Sequence, residues 1–283
     1  MVQGSCLCGI VRYGVDVPIG MMSHCHCSMC RKHHGALFAT FVATPAKQFR
    51  WLAGEGEVKT YPSSSNGRRS FCGKCGSAAP IVIPEIDMAF IPAGNLEGDL
   101  GIKPQSHMFV GSKAAWHAIT DDLPQYEKYP PGFDAPDNVQ PTVVPKDGFT
   151  LGSCLCGDVA FEVEGVPMRV MNCHCSRCRR ARSAAHATNV FYKAERFRWT
   201  RGQENVADYK LPDARHFATA FCRRCGGELP RISPERGVVV VPAGSLDTDP
   251  GMQPMAHIFV ANRASWFDIT DSLPQYAELP PSK

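Results

Sequence analysis

Cysteines are the residues of this chain whose type and spacing could support chemistry, and all fourteen fall into six short motifs. The motifs are Cys6-x-Cys8, Cys25-x-Cys27-x-x-Cys30, Cys72-x-x-Cys75, Cys154-x-Cys156, Cys173-x-Cys175-x-x-Cys178 and Cys222-x-x-Cys225. Clustered cysteines of a reducing compartment are more often metal ligands than disulfides. Each half of the chain holds seven, an odd number that argues against complete pairing into disulfides.

The seven cysteines of each half divide into four plus three. Four thiolates close a tetrahedral zinc site, whereas three leave an open position, as in catalytic zinc sites. We predict that the two distant pairs of each half join in a closed, structural site: Cys6, Cys8, Cys72 and Cys75, and then Cys154, Cys156, Cys222 and Cys225. The local triplets form the open site: Cys25, Cys27 and Cys30, and then Cys173, Cys175 and Cys178. The predicted cofactor is zinc, up to two ions per half.

Three alternatives to this assignment remain open. His26 and His174 lie between two ligands and could close each triplet, although an extended loop would point them away from the flanking cysteines. Four-thiolate sites also suit iron–sulfur clusters. Reduced structural cysteines without a metal are the third alternative, and the intact recurrence of the motifs in both halves argues against it.

The two halves of the chain are copies of one unit. Gly4-Ser5-Cys6-Leu7-Cys8-Gly9 recurs 148 residues later, and Phe71-Cys72-Gly73-Lys74-Cys75-Gly76 recurs 150 residues later as Phe221-Cys222-Arg223-Arg224-Cys225-Gly226. A single two-residue insertion between Tyr209 and Phe221 explains the change of offset. We predict copy one at residues 1–128, a proline-rich linker at 129–148 and copy two at 149–283.

The hydrophobic pattern of each copy is mostly that of β-strands. Val11, Tyr13 and Val15 alternate with polar or small residues, and the same positions of copy two keep the alternation. Further strands are predicted at residues 37–43, 49–52, 57–61, 88–91 and 238–241. Helices are expected only as short pieces after Cys30 and around Trp116, with equivalents in copy two. The predicted fold class is mostly β, used twice.

Bulk composition excludes some classes of protein. A net charge of +3 is too small to make nucleic acid or a membrane surface the main partner. No run of 18 apolar residues is present, and the first residues lack the pattern of a signal peptide. We therefore expect a cytoplasmic protein, as a monomer of two fused domains, with no membrane partner.

These motifs resemble a known family. G-S-C-x-C-G, C-H-C-S-x-C-R, F-C-x-x-C-G and the closing H-x-F-V…W…I-T-D-x-L-P-Q are similar to the glutathione-dependent formaldehyde-activating enzymes, which group with centromere protein V. The resemblance covers nearly all of residues 2–127 and 150–277. It implies a β-tent fold of small antiparallel sheets with a structural zinc, a second, catalytic zinc at the three-cysteine motif, and condensation of formaldehyde with glutathione. That activity is classed as a carbon–sulfur lyase.

A zinc ion held by three thiolates suits this reaction. It would bind and deprotonate a substrate thiol, which could then attack an aldehyde carbon. Glutathione carries two carboxylates, so Arg31 and Lys32, or Arg179 and Arg180, are candidate partners, although a solvated basic helix face explains them equally well.

The repeated histidines and the residues around the metal loops give weaker signals. His107 and His257 could serve as acid or base, but a structural role is the more common one for such histidines. The pockets of the two copies are expected to differ, because Phe38 of copy one is His186 in copy two.

Two other functions compete with the enzyme. The main alternative is a non-enzymatic zinc module for protein or nucleic acid, because four arginines follow the second metal loop: Arg177, Arg179, Arg180 and Arg182. Copy one lacks such a cluster, which weighs against it. Thiol redox or metal storage is a third function, disfavoured by the split of the cysteines into two fixed classes.

Overall fold

The computed structural model describes residues 1–65, 67–131 and 143–281. Most of the predicted linker, residues 132–142, lies outside the described residues. Copy one contains twelve strands and one α-helix: β1 (Val2–Ser5), β2 (Arg12–Val15), β3 (Met21–Cys25), α1 (Ser28–His34), β4 (Ala39–Pro45), β5 (Phe49–Ala53), β6 (Val58–Pro62), β7 (Arg68–Cys72), β8 (Ala78–Ala79), β9 (Ile81–Ile83), β10 (Met88–Pro92), β11 (His107–Met108) and β12 (Gln125–Tyr126).

Copy two repeats this order in the described residues, with β12 reduced to a single parallel bridge between Gln275 and His257. Its elements are β13 (Phe149–Ser153), β14 (Ala160–Glu164), β15 (Arg169–Cys173), α2 (Ser176–Arg182), β16 (Ala187–Lys193), β17 (Phe197–Arg201), β18 (Val206–Lys210), β19 (Ala218–Cys222), β20 (Glu228–Leu229), β21 (Arg231–Ser233), β22 (Val238–Pro242) and β23 (His257–Ile258). Short 3-10 helices link several strands of both copies. The mostly β fold with two short α-helices confirms the predicted fold class.

Each copy builds three small sheets. In copy one their orders are β1-β2-β5, β6-β7-β8 and β12-β11-β3-β4-β10-β9. In copy two they are β13-β14-β17, β18-β19-β20 and β21-β22-β16-β15-β23. Pairing is antiparallel except around β11 and β23, which run parallel to β3 and β15. These parallel pairs bring His107 and His257 beside the three-cysteine motifs that begin at the ends of β3 and β15.

The strand predictions agree with the structure to within one or two residues. Val11, Tyr13 and Val15 are buried to 1% exposure or less, as their alternation requires. The predicted helices around Trp116 and Trp266 are wrong. Each tryptophan lies in a turn closed by one bond, His117 N–H to the Ala114 carbonyl in copy one, and the helical bonding does not continue.

The copies pack closely against each other. The largest buried apolar cluster runs through both, from Val2 to Trp266. Helix α1 lies on the turn Ala243–Ser245 of copy two, and α2 lies on the turn Ala93–Asn95 of copy one. A Cβ on Gly94 would come within 2.2 Å of the Ala184 nitrogen, so only glycine permits this approach. The repeat is therefore a docked pair with a shared core.

Candidate metal centres and the histidine chains beside them

The distant cysteine pairs of each copy meet in space. Cys6 and Cys8 follow β1, while Cys72 ends β7 and Cys75 sits in the turn beyond it. The four sulfur atoms lie within 4.8 Å of one another, and the corresponding four of copy two do so as well. Backbone N–H groups also point at the sulfurs: that of Val11 donates to Cys6 Sγ over 3.4 Å. Gly9 and Gly76 close the two knuckles at φ of +74° and +80°, conformations that glycine adopts without strain.

The sequence-local triplets form a second pair of groups. Cys25 ends β3, Cys27 caps the N-terminus of α1, and Cys30 lies in its first turn. Their sulfurs lie within 4.8 Å of one another, as do those of Cys173, Cys175 and Cys178. Within the described ranges, no histidine or carboxylate joins either triplet. The structure therefore brings together the cysteines of each predicted group. Their role as zinc ligands stays a prediction.

The middle cysteine of each triplet is the most acidic. Hydrogen bonds from the Cys25 and Cys30 thiols hold the pKa of Cys27 well below its usual value. The Cys30 backbone N–H adds a bond of 3.3 Å to Cys27 Sγ at the start of the helix. The same pattern lowers the pKa of Cys175 to about 3. Each loop therefore presents a thiolate where the helix N-terminus stabilises negative charge.

The donor set and spacing fit a tetrahedral thiophilic metal ion. Neighbouring sulfurs of the four-cysteine group lie 3.4 Å (Cys6 to Cys8) and 3.8 Å (Cys8 to Cys72) apart. A tetrahedron with Zn–S bonds of 2.3 Å has edges of about 3.8 Å. All four cysteine groups could hold metal ions, and the triplets offer one ligand fewer.

His26 does not point at the metal loop that flanks it. Its Nε2 lies 2.8 Å from His107 Nδ1, and His107 Nε2 lies 2.9 Å from Asp121 Oδ1. Copy two repeats this chain as His174, His257 and Asp271. A carboxylate only accepts, so His107 donates from Nε2, and in neutral rings His26 then donates from Nε2. Burial lowers the pKa of His26 to about 2, which keeps its ring neutral.

These histidine chains end at a cavity between the copies. The cavity encloses about 240 Å³ and is lined from both sides by His107, Asp121, His257 and Asp271. Thr120 and Thr270 meet at 2.6 Å between their hydroxyl oxygens. Phe38 and His186, which occupy the same position of the repeat, stack edge to face across it at 5.6 Å. Trp116 lines the cavity but is buried, in keeping with its predicted core role.

Two of the cations proposed for substrate carboxylates are engaged elsewhere. Lys32 Nζ contacts Asp247 Oδ1 at 2.5 Å and is 5% exposed. Arg180 pairs with Glu97 of copy one. Both side chains therefore join helices of one copy to loops of the other, and this explains their recurrence better than substrate binding does.

The same packing weakens the nucleic-acid alternative. Arg182 is buried and pairs with Glu228 inside copy two, and Arg180 is held by Glu97. Arg179 is half-buried. The arginine cluster seen in the sequence therefore does not form one free basic surface.

Some residues of the candidate site were not recognised from the sequence. Asp121 and Asp271 lie in the repeated I-T-D motif, but their bonds to histidines fourteen residues away were not foreseen. Arg69 was also missed: its Nη2 donates to Cys30 Sγ over 3.6 Å. The available signal was a difference between the copies, because Thr219 occupies the matching position.

The fold and these four groups define a cysteine-rich β protein able to hold metal ions at two kinds of site. The chain belongs to the glutathione-dependent formaldehyde-activating enzyme family, which it matches over residues 1–112 and 150–262. Both copies of the repeat thus carry the family pattern. Among the described residues, no helix is long and apolar enough to span a membrane.

One curated relative carries the same family name. The chain is 28% identical over 127 residues to a Halomonas elongata protein named "Putative glutathione-dependent formaldehyde-activating enzyme"; the match covers 42% of this chain and 81% of that protein. A crystal structure of a Rhodobacter sphaeroides protein is 29% identical, covering 37% of this chain and 97% of that one. Its TM-score is 0.29.

Proposed function

We propose that the chain is a zinc-dependent enzyme that forms or cleaves the adduct of a thiol and a small aldehyde. Glutathione and formaldehyde are the substrates that the family name suggests. The observation that carries this proposal is the three-cysteine group of each copy, which no histidine or carboxylate of the described residues completes. A site with one open position is what a substrate ligand requires.

The proposed assignment of residues follows the two kinds of group. Closed zinc sites would be held by Cys6, Cys8, Cys72 and Cys75 and by Cys154, Cys156, Cys222 and Cys225. Open zinc sites would be held by Cys25, Cys27 and Cys30 and by Cys173, Cys175 and Cys178. Residues 1–128 and 149–283 are proposed as the two domains, joined by linker 129–148. A cytoplasmic location stays a prediction.

The reaction needs a deprotonated thiol beside a polarised carbonyl. Zinc, when bound, supplies the positive charge that lowers the pKa of a coordinated thiol and steadies developing negative charge on oxygen. The new bond joins sulfur to the aldehyde carbon, and the thiol proton ends on the former carbonyl oxygen. The reaction class is therefore a carbon–sulfur lyase without change of oxidation state.

The protein residues position the loop for this step. The helix N-terminus holds the Cys27 and Cys175 thiolates through the backbone N–H groups of Cys30 and Cys178. The chain from His26 through His107 to Asp121 fixes the loop from behind, because His26 lies between two of the cysteines.

The test is the exchange of formaldehyde with glutathione, followed by NMR with and without the zinc-loaded protein. We expect faster exchange and up to four zinc ions per chain. No acceleration with glutathione, with other thiols or with other small aldehydes would contradict the enzyme.

A further inference from the structure

The three-cysteine groups of the two copies have different surroundings. In copy one, Arg69 lies against the sulfurs, with its Nη2 3.6 Å from Cys30 Sγ. An arginine guanidinium stays protonated in proteins, so a positive charge lies beside these sulfurs. Phe109 packs against the same three cysteines, with Phe41 and Met29 at the edge. The sulfurs of copy one are thus covered by a cation and by apolar side chains.

In copy two, a cavity of about 150 Å³ reaches the metal loop. Its lining includes Cys178, Thr219, Phe217, Arg182, Arg231 and Arg236. A cavity of this size can hold several water molecules, which is enough for the thiol end of a small molecule. Arg182 is neutralised by Glu228. Arg231 donates from Nη1 to the His216 carbonyl oxygen over 2.9 Å, and Arg236 is exposed; neither has a salt bridge among the described residues.

The alignment of the two copies shows that their positively charged residues occupy different positions around the three-cysteine group. Strand β7 corresponds to β19, so Arg69 of copy one matches Thr219 of copy two. Strand β9 corresponds to β21, so Ile81 of copy one occupies the position of Arg231 in copy two. In the 3-10 helix that follows, Ile86 occupies the position of Arg236. Copy one therefore has a cation at the sulfurs, and it has isoleucines where copy two has Arg231 and Arg236. Copy two has a cationic rim and a small polar residue near the sulfurs.

We propose that the copies divide the work: copy two binds an anionic thiol through Arg231 and Arg236, and Arg69 closes the site of copy one. This inference rests on the proposed function, since it names the copy that performs it. Two guanidinium groups at the cavity rim suit the carboxylates of a thiol such as glutathione. In copy one, the guanidinium of Arg69 fills the approach to Cys30, so a substrate thiol does not reach that group.

The test uses the zinc-loaded full chain and titration calorimetry with glutathione. We expect one glutathione site per chain. Thr219→Arg, which places the copy-one residue in copy two, should weaken binding about tenfold or more with the zinc count unchanged. Thr219→Val separates the loss of the hydroxyl, which donates to the Cys75 carbonyl oxygen over 3.2 Å, from the effect of the added guanidinium. It should weaken glutathione binding less than Thr219→Arg does.

A second set of variants tests the rim without touching the sulfurs. Arg231→Ile with Arg236→Ile should weaken glutathione binding about tenfold or more but leave binding of uncharged 2-mercaptoethanol unchanged. Arg12→Ile, on an exposed strand position of copy one, should change neither. Equal losses with both thiols, or two equivalent glutathione sites per chain, would overturn the inference.

The same preparations separate this inference from the proposed function. Suppose that the chain has one glutathione site that needs Arg231 and Arg236 but does not accelerate formaldehyde exchange. That result would support the difference between the copies and contradict the proposed enzyme activity. Suppose instead that the protein accelerates exchange, that Cys27→Ser abolishes the acceleration and that Thr219→Arg does not. That result would support the enzyme activity and contradict the proposal that copy two performs it. Absence of glutathione binding to the zinc-loaded chain would also reject the division.

Discussion

Lys32 of helix α1 and Asp247 of copy two form a buried ion pair across the interface between the copies, with 2.5 Å between Nζ and Oδ1. The same ammonium group donates two further hydrogen bonds, to the carbonyl oxygen and to the hydroxyl oxygen of Ser153. Arg180 and Glu97 make the equivalent contact on the other side, where Glu97 remains 54% exposed. The two related contacts thus differ in burial and should differ in their effect on stability.

Replacement of Lys32 by Met should lower the free energy of unfolding by about 3–5 kcal/mol, because it leaves the Asp247 carboxylate buried and unpaired. Arg180→Met, on the exposed pair, should cost only about 0–1 kcal/mol. Urea unfolding at neutral pH measures both. Equal losses would show that the burial of Lys32 does not decide the energy.

Loss of a four-cysteine group should unfold its copy, whereas loss of a three-cysteine group should not. Structural zinc contributes on the order of 10–16 kcal/mol of apparent binding free energy, comparable to the net stability of a domain. We expect Cys72→Ser to lose zinc and much of the strand signal in circular dichroism. Cys27→Ser should lose one zinc and keep its spectrum. A folded Cys72→Ser protein would reverse the assignment of the sites.

Removal of the Asp121 carboxylate should disturb His107 and, through it, His26. Asp121→Ala leaves the Nε2–H of the buried His107 without its acceptor, which should cost about 1–3 kcal/mol. Asp121→Asn still offers a carbonyl oxygen and should cost less. Nitrogen-15 NMR of the imidazoles should show Nε2–H on both rings of the natural protein, and a changed pattern in Asp121→Ala only.

Gly94→Ala should separate the docked copies. Its Cβ would lie 2.2 Å from the Ala184 nitrogen, a backbone atom that cannot turn aside. We expect a loss of about 3 kcal/mol or more, as for other overpacked contacts. Gly56→Ala is the control, since nothing lies within 4 Å of its Cβ position. It should change stability by less than about 1 kcal/mol, and a similar loss in both variants would contradict the close packing.

His34 should make stability depend on pH between about 6.5 and 4. Its Nδ1 lies 2.8 Å from the Arg182 carbonyl oxygen, its Nε2 is buried without a partner, and burial lowers its pKa to about 4. The unfolded chain protonates near pH 6.5, so it binds the extra proton first and stability falls as the pH falls. The full effect is about 3 kcal/mol.

The matched variant for this histidine is His34→Gln, whose amide can still donate to the carbonyl. The difference in unfolding free energy between His34→Gln and the natural protein should grow in favour of the variant as the pH drops from 7 to 4. Comparison of the two proteins at each pH removes the effect of zinc loss in acid. Parallel pH curves would contradict a neutral, buried His34.

Local patterns in the sequence were enough for the strands and the cysteine groupings. The alternation at Val11, Tyr13 and Val15 marked one buried strand face, and the paired motifs specified which sulfurs would meet. The turn at Trp116 was mistaken for a helix, because a single i to i+3 bond leaves no periodicity to distinguish it. Contacts between the copies, such as Phe71 against Phe221 at 6.2 Å, depend on docking that no local pattern encodes.

The edge-to-face contact of Phe38 with His186 has a consequence for how this protein can change over generations. In a dimer of identical chains, a residue near the two-fold axis can face only its own copy, so every substitution there occurs twice. Joining both copies in one chain removes that restriction. Phe38 can then contact a histidine at the equivalent position, where a symmetric dimer would have two identical residues. One copy can also accept substitutions at such a position while the other copy keeps its residue.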